Sequence, residues 1–333
     1  MRKIFLLILG LIAIAAASRQ WQTDILGPAY QYTYIDQGTD YSGPVRSTVV
    51  RLRADSARGD LGALYVHGFN DYFFQADMGR QFADHGLRFY AVDLRKYGRS
   101  LMPGQTPFQA RHLSEYFADI DSALAVMEAD GVRRVVLVGH STGGLITSMY
   151  LARNSRPQIR ALVLNSPFLD WNQSKLQERI LIPAVRSVAP LMPGLKIPQG
   201  VDDLYARSLL SRYGGEWDYD TLWKFSRSPA VEASWIAAID EAHDIVQRDP
   251  RICMPILVMH SDRSFASGDP DSLSQCTDVV LDVTDIDRYG RGLGPDVTMV
   301  TVPGGLHDLA LSAPAVREAM YSYLFRWLAA RGL

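Results

Sequence analysis

Cysteine is nearly absent from this chain of 333 residues, which carries only Cys253 and Cys276. Two cysteines, and seven histidines without ligand spacing, cannot assemble a zinc site. No metal and no cofactor are therefore expected. In an oxidising compartment the two thiols could pair and close a loop of roughly two dozen residues, adding about 3 kcal/mol in the chain-entropy model. Two buried free thiols are the alternative. Runs of like charge are also missing and the net charge is only −2, so the basic stripe that nucleic-acid binding needs is not there. Long hydrophobic runs are scarce. Residues 4–17, behind Arg2 and Lys3, are apolar and end in Ala15-Ala16-Ala17-Ser18, whereas a spanning helix wants roughly 20 apolar residues. That layout is expected of an export signal over residues 1–18, giving a periplasmic or secreted protein. An uncleaved anchor holding the protein to a membrane by its N-terminus is the alternative. No cysteine lies near the small-residue site to take a lipid. Internal repeats and low-complexity segments are absent too.

What is present is an ordinary enzyme composition, 47% apolar and 21% charged, enough to bury a large core. The length exceeds the usual single domain, but α/β folds of this size often keep one core with an insertion. Residues 30–35 and 45–53 are expected to form an antiparallel hairpin. Short apolar runs at 63–66, 88–92, 135–138, 161–164, 256–259 and 297–302 have the form of buried strands. Between them lie helical patterns: a segment ending near His85, the spacing Leu113, Tyr116, Phe117, Ile120, Leu124, Met127, a helix over 142–152, and a last one over 315–330. Strands alternating with helices imply an α/β fold with a mostly parallel central sheet covered on both faces. Residues 171–251 break the alternation with helical patterns, prolines and aromatics but no convincing strand. They are expected to be a helical cap inserted into a core made of 19–170 and 252–333.

Gly139-His140-Ser141-Thr142-Gly143 fits G-x-S-x-G and lies directly between a buried strand and a helix. In that context the serine sits on a sharp strained turn with its hydroxyl exposed above the sheet, and the helix behind it favours developing negative charge. Ser141 is the candidate nucleophile; a glycine-rich helix start bearing an exposed serine is the plainer alternative. A serine hydroxyl needs a base that also returns the proton, which suits imidazole. His307, in Pro303-Gly304-Gly305-Leu306-His307-Asp308, follows the last strand and can reach the strand ends. A carboxylate must orient that base. Asp262, just past the 256–259 strand, is expected to do so, with Asp278 and Asp282 as rivals that could swing toward His307. Oxyanion donors are expected from the backbone N–H of Thr142 and of Phe69, the latter in the turn His67-Gly68-Phe69-Asn70.

His67-Gly68-Phe69, the stretch Asp93-Leu94-Arg95-Lys96-Tyr97-Gly98-Arg99-Ser100, the elbow, Asp262 and His307-Asp308 together resemble the α/β-hydrolase superfamily. The resemblance is to its monoacylglycerol lipase, lysophospholipase and serine-aminopeptidase-like group, over about residues 45–330. It departs in two places: Lys96 stands where the D-x-R-G-x-G-x-S loop has glycine, and a longer polar insert follows Asp262. A serine nucleophile points to acyl transfer rather than haloalkane or epoxide chemistry. The apolar cap residues, such as Ile180-Leu181-Ile182, Trp217 and Trp223, suggest an acyl pocket. The expected function is hydrolysis of small-molecule esters of acylglycerol or lysophospholipid type. Amide or peptide hydrolysis by the same triad, and a binding protein that has lost the reaction, are the competing readings.

Overall fold

The computed structural model describes residues 19–53, 59–173, 176–199, 203–248, 250–265 and 272–333. The leader over 1–18 lies outside the described residues. The chain opens with β1 (Gln22–Asp24), β2 (Gly27–Asp40) and β3 (Gly43–Leu52). It then winds through β4 (Leu61–Val66), α1 (Ala76–Asp84), β5 (Arg88–Asp93), α2 (Phe117–Ala129), β6 (Arg134–His140), α3 (Thr142–Arg153) and β7 (Ile159–Asn165). The expected hairpin, strands and helices are all present, several a few residues longer than their apolar runs.

Between β7 and the next sheet strand come α4 (Ile182–Val188), β8 (Lys196–Ile197), α5 (Leu204–Leu209), β9 (Val231–Glu232) and α6 (Ala233–Arg248). The chain closes with β10 (Ile256–Ser261), α7 (Val283–Gly290), β11 (Val297–Val302) and α8 (Pro314–Ala329). Within residues 171–251, α4, α5 and α6 alternate with irregular stretches and one short antiparallel ladder, β8 on β9, that the sequence pattern did not suggest. The segment is not uniform in its packing. α6 lies against α3 as well as α4, and its Trp235, Ile239 and Ala242 join the same apolar cluster as Leu145 of α3.

The main sheet runs β1-β2-β3-β5-β4-β6-β7-β10-β11, with the first three pairings antiparallel and the rest parallel. Its inner strands are apolar on both sides because both sides are covered. Leu64, Leu137, Leu162 and Val258 face the layer of α2, α3 and α6. Their neighbours Ala63, Val136, Val163 and Leu257 face α1 and α8. This two-residue alternation is the pleat itself. From β4 the chain crosses to β5 on one side, and from β6 to β7 on the other. The order therefore reverses between β4 and β6, where the C-terminal strand ends open a crevice. The turn after β4 and the turn after β6 are the two that carry the expected oxyanion donors and nucleophile. No described helix is long and apolar enough to cross a membrane. Cys253 and Cys276 are not bridged; Cys253 is exposed and Cys276 half-buried.

Candidate active site

Ser141 occupies the single residue between β6 and α3, with φ 51° and ψ −120°. A side-chain-bearing residue there costs on the order of 1–3 kcal/mol, and the surrounding close approaches hold it. A Cβ on Gly143 would sit 2.3 Å from the Val66 carbonyl oxygen and 2.4 Å from that of His67. One on Gly139 would sit 2.4 Å from Thr147 Oγ1. Both glycines of the pentapeptide are therefore steric requirements of the turn. On the β4 side, a Cβ on Gly68 would meet the Ser141 Cβ at 2.9 Å, so the Phe69 turn and the elbow are pressed together. His67 fixes that turn: its Nδ1 donates to the Gly68 carbonyl at 2.8 Å and its Nε2 accepts from Leu94 N–H at 3.1 Å. Burial holds its pKa below the usual range, in keeping with a neutral ring.

His307 and Ser141 line one cavity of about 270 Å³, together with Phe69 and Thr142. His307 Nδ1 donates to Asp278 Oδ2 at 2.9 Å, with the two side chains only 3% and 0% exposed. The other oxygen, Asp278 Oδ1, accepts from Val280 and Leu281 N–H, each at 2.8 Å. The expectation that Asp262 orients His307 is therefore corrected. Asp262 Oδ1 accepts from Gly304 N–H at 2.9 Å, and its Oδ2 pairs with the Arg263 guanidinium at 2.8 Å. Burial raises the Asp262 pKa, but Arg263 and the Gly304 N–H outweigh it and hold the carboxyl below the usual range. Asp262 thus braces the turn that leads to His307. Asp282, the other rival, caps α7 by accepting from Thr284 N–H.

Asp278 reaches the site because the chain returns to the end of β10. Asp278 N–H donates to the Arg263 carbonyl at 3.0 Å and Phe265 N–H donates to the Asp278 carbonyl at 2.8 Å, a parallel bridge between Ser264 and Asp278. The polar insert begins and ends at this bridge. Sixteen positions of sequence thus separate two aspartates that share one region of space.

The loop after β5 is scaffold. Asp93 accepts from Phe73 N–H and Arg99 N–H, and Arg99 forks onto both oxygens of Asp24 at 2.7 Å. Lys96 has φ 62°, in the left-handed region that glycine enters without steric cost. Its ammonium offsets that cost through Asp40 at 2.7 Å. Further hydrogen bonds join residues 217–225 to the core. Asn70 Nδ2 donates to the Phe225 carbonyl and accepts the Phe225 N–H at its Oδ1, both at 2.8 Å, and Trp217 Nε1 donates to the Leu311 carbonyl at 2.8 Å.

Beneath the cavity lies a polar network that sequence reasoning missed. Buried Asp308 accepts from Asn165 Nδ2 at 2.7 Å, Gln75 Nε2 at 2.8 Å and Ala310 N–H at 3.0 Å. Burial pushes its pKa up, but His140 and these donors prevail and hold it below the usual range. Ligand atoms of Asp71, His140 and Asp308 lie within 4.8 Å of one another. The Lys224 ammonium on Asp71 and the amide donors on Asp308 oppose a cation there, and the set is that of a hydrogen-bonded network.

The sheet order and the strained elbow between β6 and α3 define an α/β-hydrolase. Residues 63–312, most of the chain, match the family described as Serine aminopeptidase, S33, and the chain belongs to that family. It is similar to the AB hydrolase superfamily protein YisY of Bacillus subtilis, 30% identical over 105 residues, or 31% of this chain and 36% of that protein. The match thus spans about a third of that relative's length. Among solved structures it resembles a soluble variant of monoglyceride lipase from Saccharomyces cerevisiae in complex with a substrate analog. That likeness has TM-score 0.64 and 15% identity and covers 89% of this chain and 95% of that one. A monoacylglycerol lipase from Paleococcus ferrophilus aligns with TM-score 0.61 and 18% identity over 90% and 98% of the two chains. At these identities the likeness speaks for the fold.

Proposed function

We propose that the protein hydrolyses carboxylic esters of acylglycerol or lysophospholipid type through an acyl-enzyme, with Ser141, His307 and Asp278 as its triad. The observation that carries this is the Nδ1 bond from buried His307 to buried Asp278, in the cavity that also holds Ser141 on its strained elbow. The Asp278 carboxylate keeps the proton on Nδ1 and leaves Nε2 free to accept. Ser141 Oγ attacks the ester carbonyl as its proton passes to His307 Nε2, and the oxyanion is received by the backbone N–H groups of Phe69 and Thr142. The imidazolium returns that proton to the departing alkoxide, and water repeats the cycle on the acyl-serine.

Phe168, Trp171, Trp235 and Leu281 line the cavity with apolar surface, which suits an acyl chain. The monoglyceride and monoacylglycerol lipases among the structural relatives favour the same substrate class. A second reading, amide hydrolysis by the same groups, is favoured by the family's description as serine aminopeptidases. The test is a p-nitrophenyl ester series from acetate to palmitate, with matched anilides and a fluorophosphonate probe, on wild type and Ser141→Ala. Ester turnover and labelling in wild type alone are expected. Faster turnover of the anilides would transfer the reading to amides, and labelling of neither protein would refute an activated serine.

A further inference from the structure

Lys224 is buried in the active-site cavity, 5% exposed, with its Nζ 2.9 Å from Asp71 Oδ1, and Asp71 is 2% exposed. The same ammonium lies 5.1 Å from the Tyr205 ring centre and 5.7 Å from those of Phe74 and Tyr219. A carboxylate surrounded by three aromatic rings is a receptor for an ammonium group. Here the chain supplies the ammonium itself. Three polar atoms of the residues around this plug are buried without a partner among the described residues: Asp71 Oδ2, Tyr205 OH and Tyr219 OH. Orphaned acceptors and hydroxyls of this kind are expensive unless a ligand satisfies them.

The position identifies which half of a substrate would do so. The Tyr205 ring stands edge-on to the His307 imidazole at 5.5 Å, and His307 is the group that returns the proton to the leaving oxygen. Asp71 lies two residues beyond Phe69, on the turn that supplies an oxyanion donor. The apolar surface of Phe168, Trp171 and Leu281 remains for the acyl chain.

We infer that Asp71, Lys224, Tyr205 and Tyr219 form a leaving-group subsite for a neutral, polyhydroxylated alcohol, from which Lys224 excludes cationic head groups. The inference rests on the ester reading above and narrows it. A hydroxyl on the leaving alcohol can donate to Asp71 Oδ2, and others can pair with the two phenols. A cationic head meets a cage already filled by Lys224. An anionic phosphate must draw Lys224 away from Asp71 and leave a buried carboxylate uncompensated. Of the two substrate types, the subsite therefore favours the acylglycerol.

The test compares kcat/KM for glyceryl, n-propyl and choline esters of one acyl chain. The proteins are wild type, Tyr205→Phe, Tyr219→Phe and Lys224→Met. In wild type the glyceryl ester is expected to exceed the propyl ester by about tenfold, and each phenylalanine variant to lower that ratio by about fivefold, the worth of one hydrogen bond. Lys224→Met is expected to raise the choline-to-propyl ratio by about tenfold as the cage opens. Removing Lys224 strands the Asp71 carboxylate and can unfold the surrounding segment, so the tyrosine variants decide on their own. A glyceryl-to-propyl ratio near one in wild type, or one unmoved by both tyrosine changes, overturns the subsite. Turnover of none of the three esters instead overturns the ester reading on which it rests.

Discussion

The assignment of the acid can be decided by exchanging one atom at each of two aspartates. Asn at position 278 keeps the side chain's volume and can still accept from Val280 and Leu281 N–H through Oδ1. The atom facing His307 Nδ1 then becomes an NH2 group, which donates. Nδ1 must accept, the ring proton moves to Nε2, and the nitrogen that should take the Ser141 proton is blocked. Loss of a triad carboxylate in this way is worth about 10⁴ in kcat, or about 5.5 kcal/mol of barrier at about 1.4 kcal/mol per tenfold. Asp262→Asn removes a contact with Arg263, which is 59% exposed, a pair worth on the order of 0–1 kcal/mol. It retains an acceptor for Gly304 N–H. Its kcat/KM on a p-nitrophenyl ester is expected to stay within about threefold of wild type, with Tm recorded for both variants to separate chemistry from folding. A folded Asp262→Asn that loses activity by about 10⁴, beside an active Asp278→Asn, would refute the argument.

Ser141→Gly should abolish turnover yet raise stability by about 1 kcal/mol, because glycine accepts φ 51° and ψ −120° without strain; thermal unfolding that shows no gain in Tm would count against strain at the elbow. Asp285 bears on pH. Burial first, then the carboxylates of Asp170, Asp282 and Glu178, lift its pKa to about 6, above the unfolded value of about 3.9. The folded chain then binds the extra proton between about pH 4 and 6, and stability falls as pH rises through that window. Asp285→Asn should therefore gain about 1 kcal/mol at pH 7.5, after allowance for its partial exposure, and nothing at pH 4; a gain independent of pH would exclude this cause.

The parts of the molecule that were legible in the sequence are those whose physics is local. Strands β4, β6, β7 and β10 are buried on both faces, so their apolar runs stand out against any flanking segment. The elbow was legible because steric contact within a few residues dictates glycine at 139 and 143. β2 extends to Asp40, well beyond its expected end, because an outer strand with one side half-exposed carries polar residues that resemble a loop. α6 fell inside the expected cap for a similar reason. An amphipathic helix shows that one face is buried, and nothing in its period says whether it rests on the sheet layer or on another cap helix. The Asp71–Lys224 pair joins residues 153 apart, and neither has a neighbour in sequence that hints at the other.

The displaced acid shows why one functional position is harder to place than the rest. The constraint on the proposed nucleophile is local, so chain position and proposed role coincide at Ser141. The constraint on the acid is that a carboxylate oxygen lie within bonding reach of His307 Nδ1, and any segment returning to the end of β10 can meet it. Asp262 is first in sequence after β10, and the Arg263 guanidinium and Gly304 N–H engage both its oxygens. The chain then leaves through the polar insert, returns by the bridge at Ser264 and Asp278, and presents a carboxylate already fixed by two backbone N–H groups. A carboxylate held in that way costs little to keep pointed at the imidazole, whereas Asp262 would have to leave Arg263 and release the turn that carries His307. In the proposed triad the first aspartate thus steadies the base and the second one orients it, a division of labour that spacing alone could not reveal.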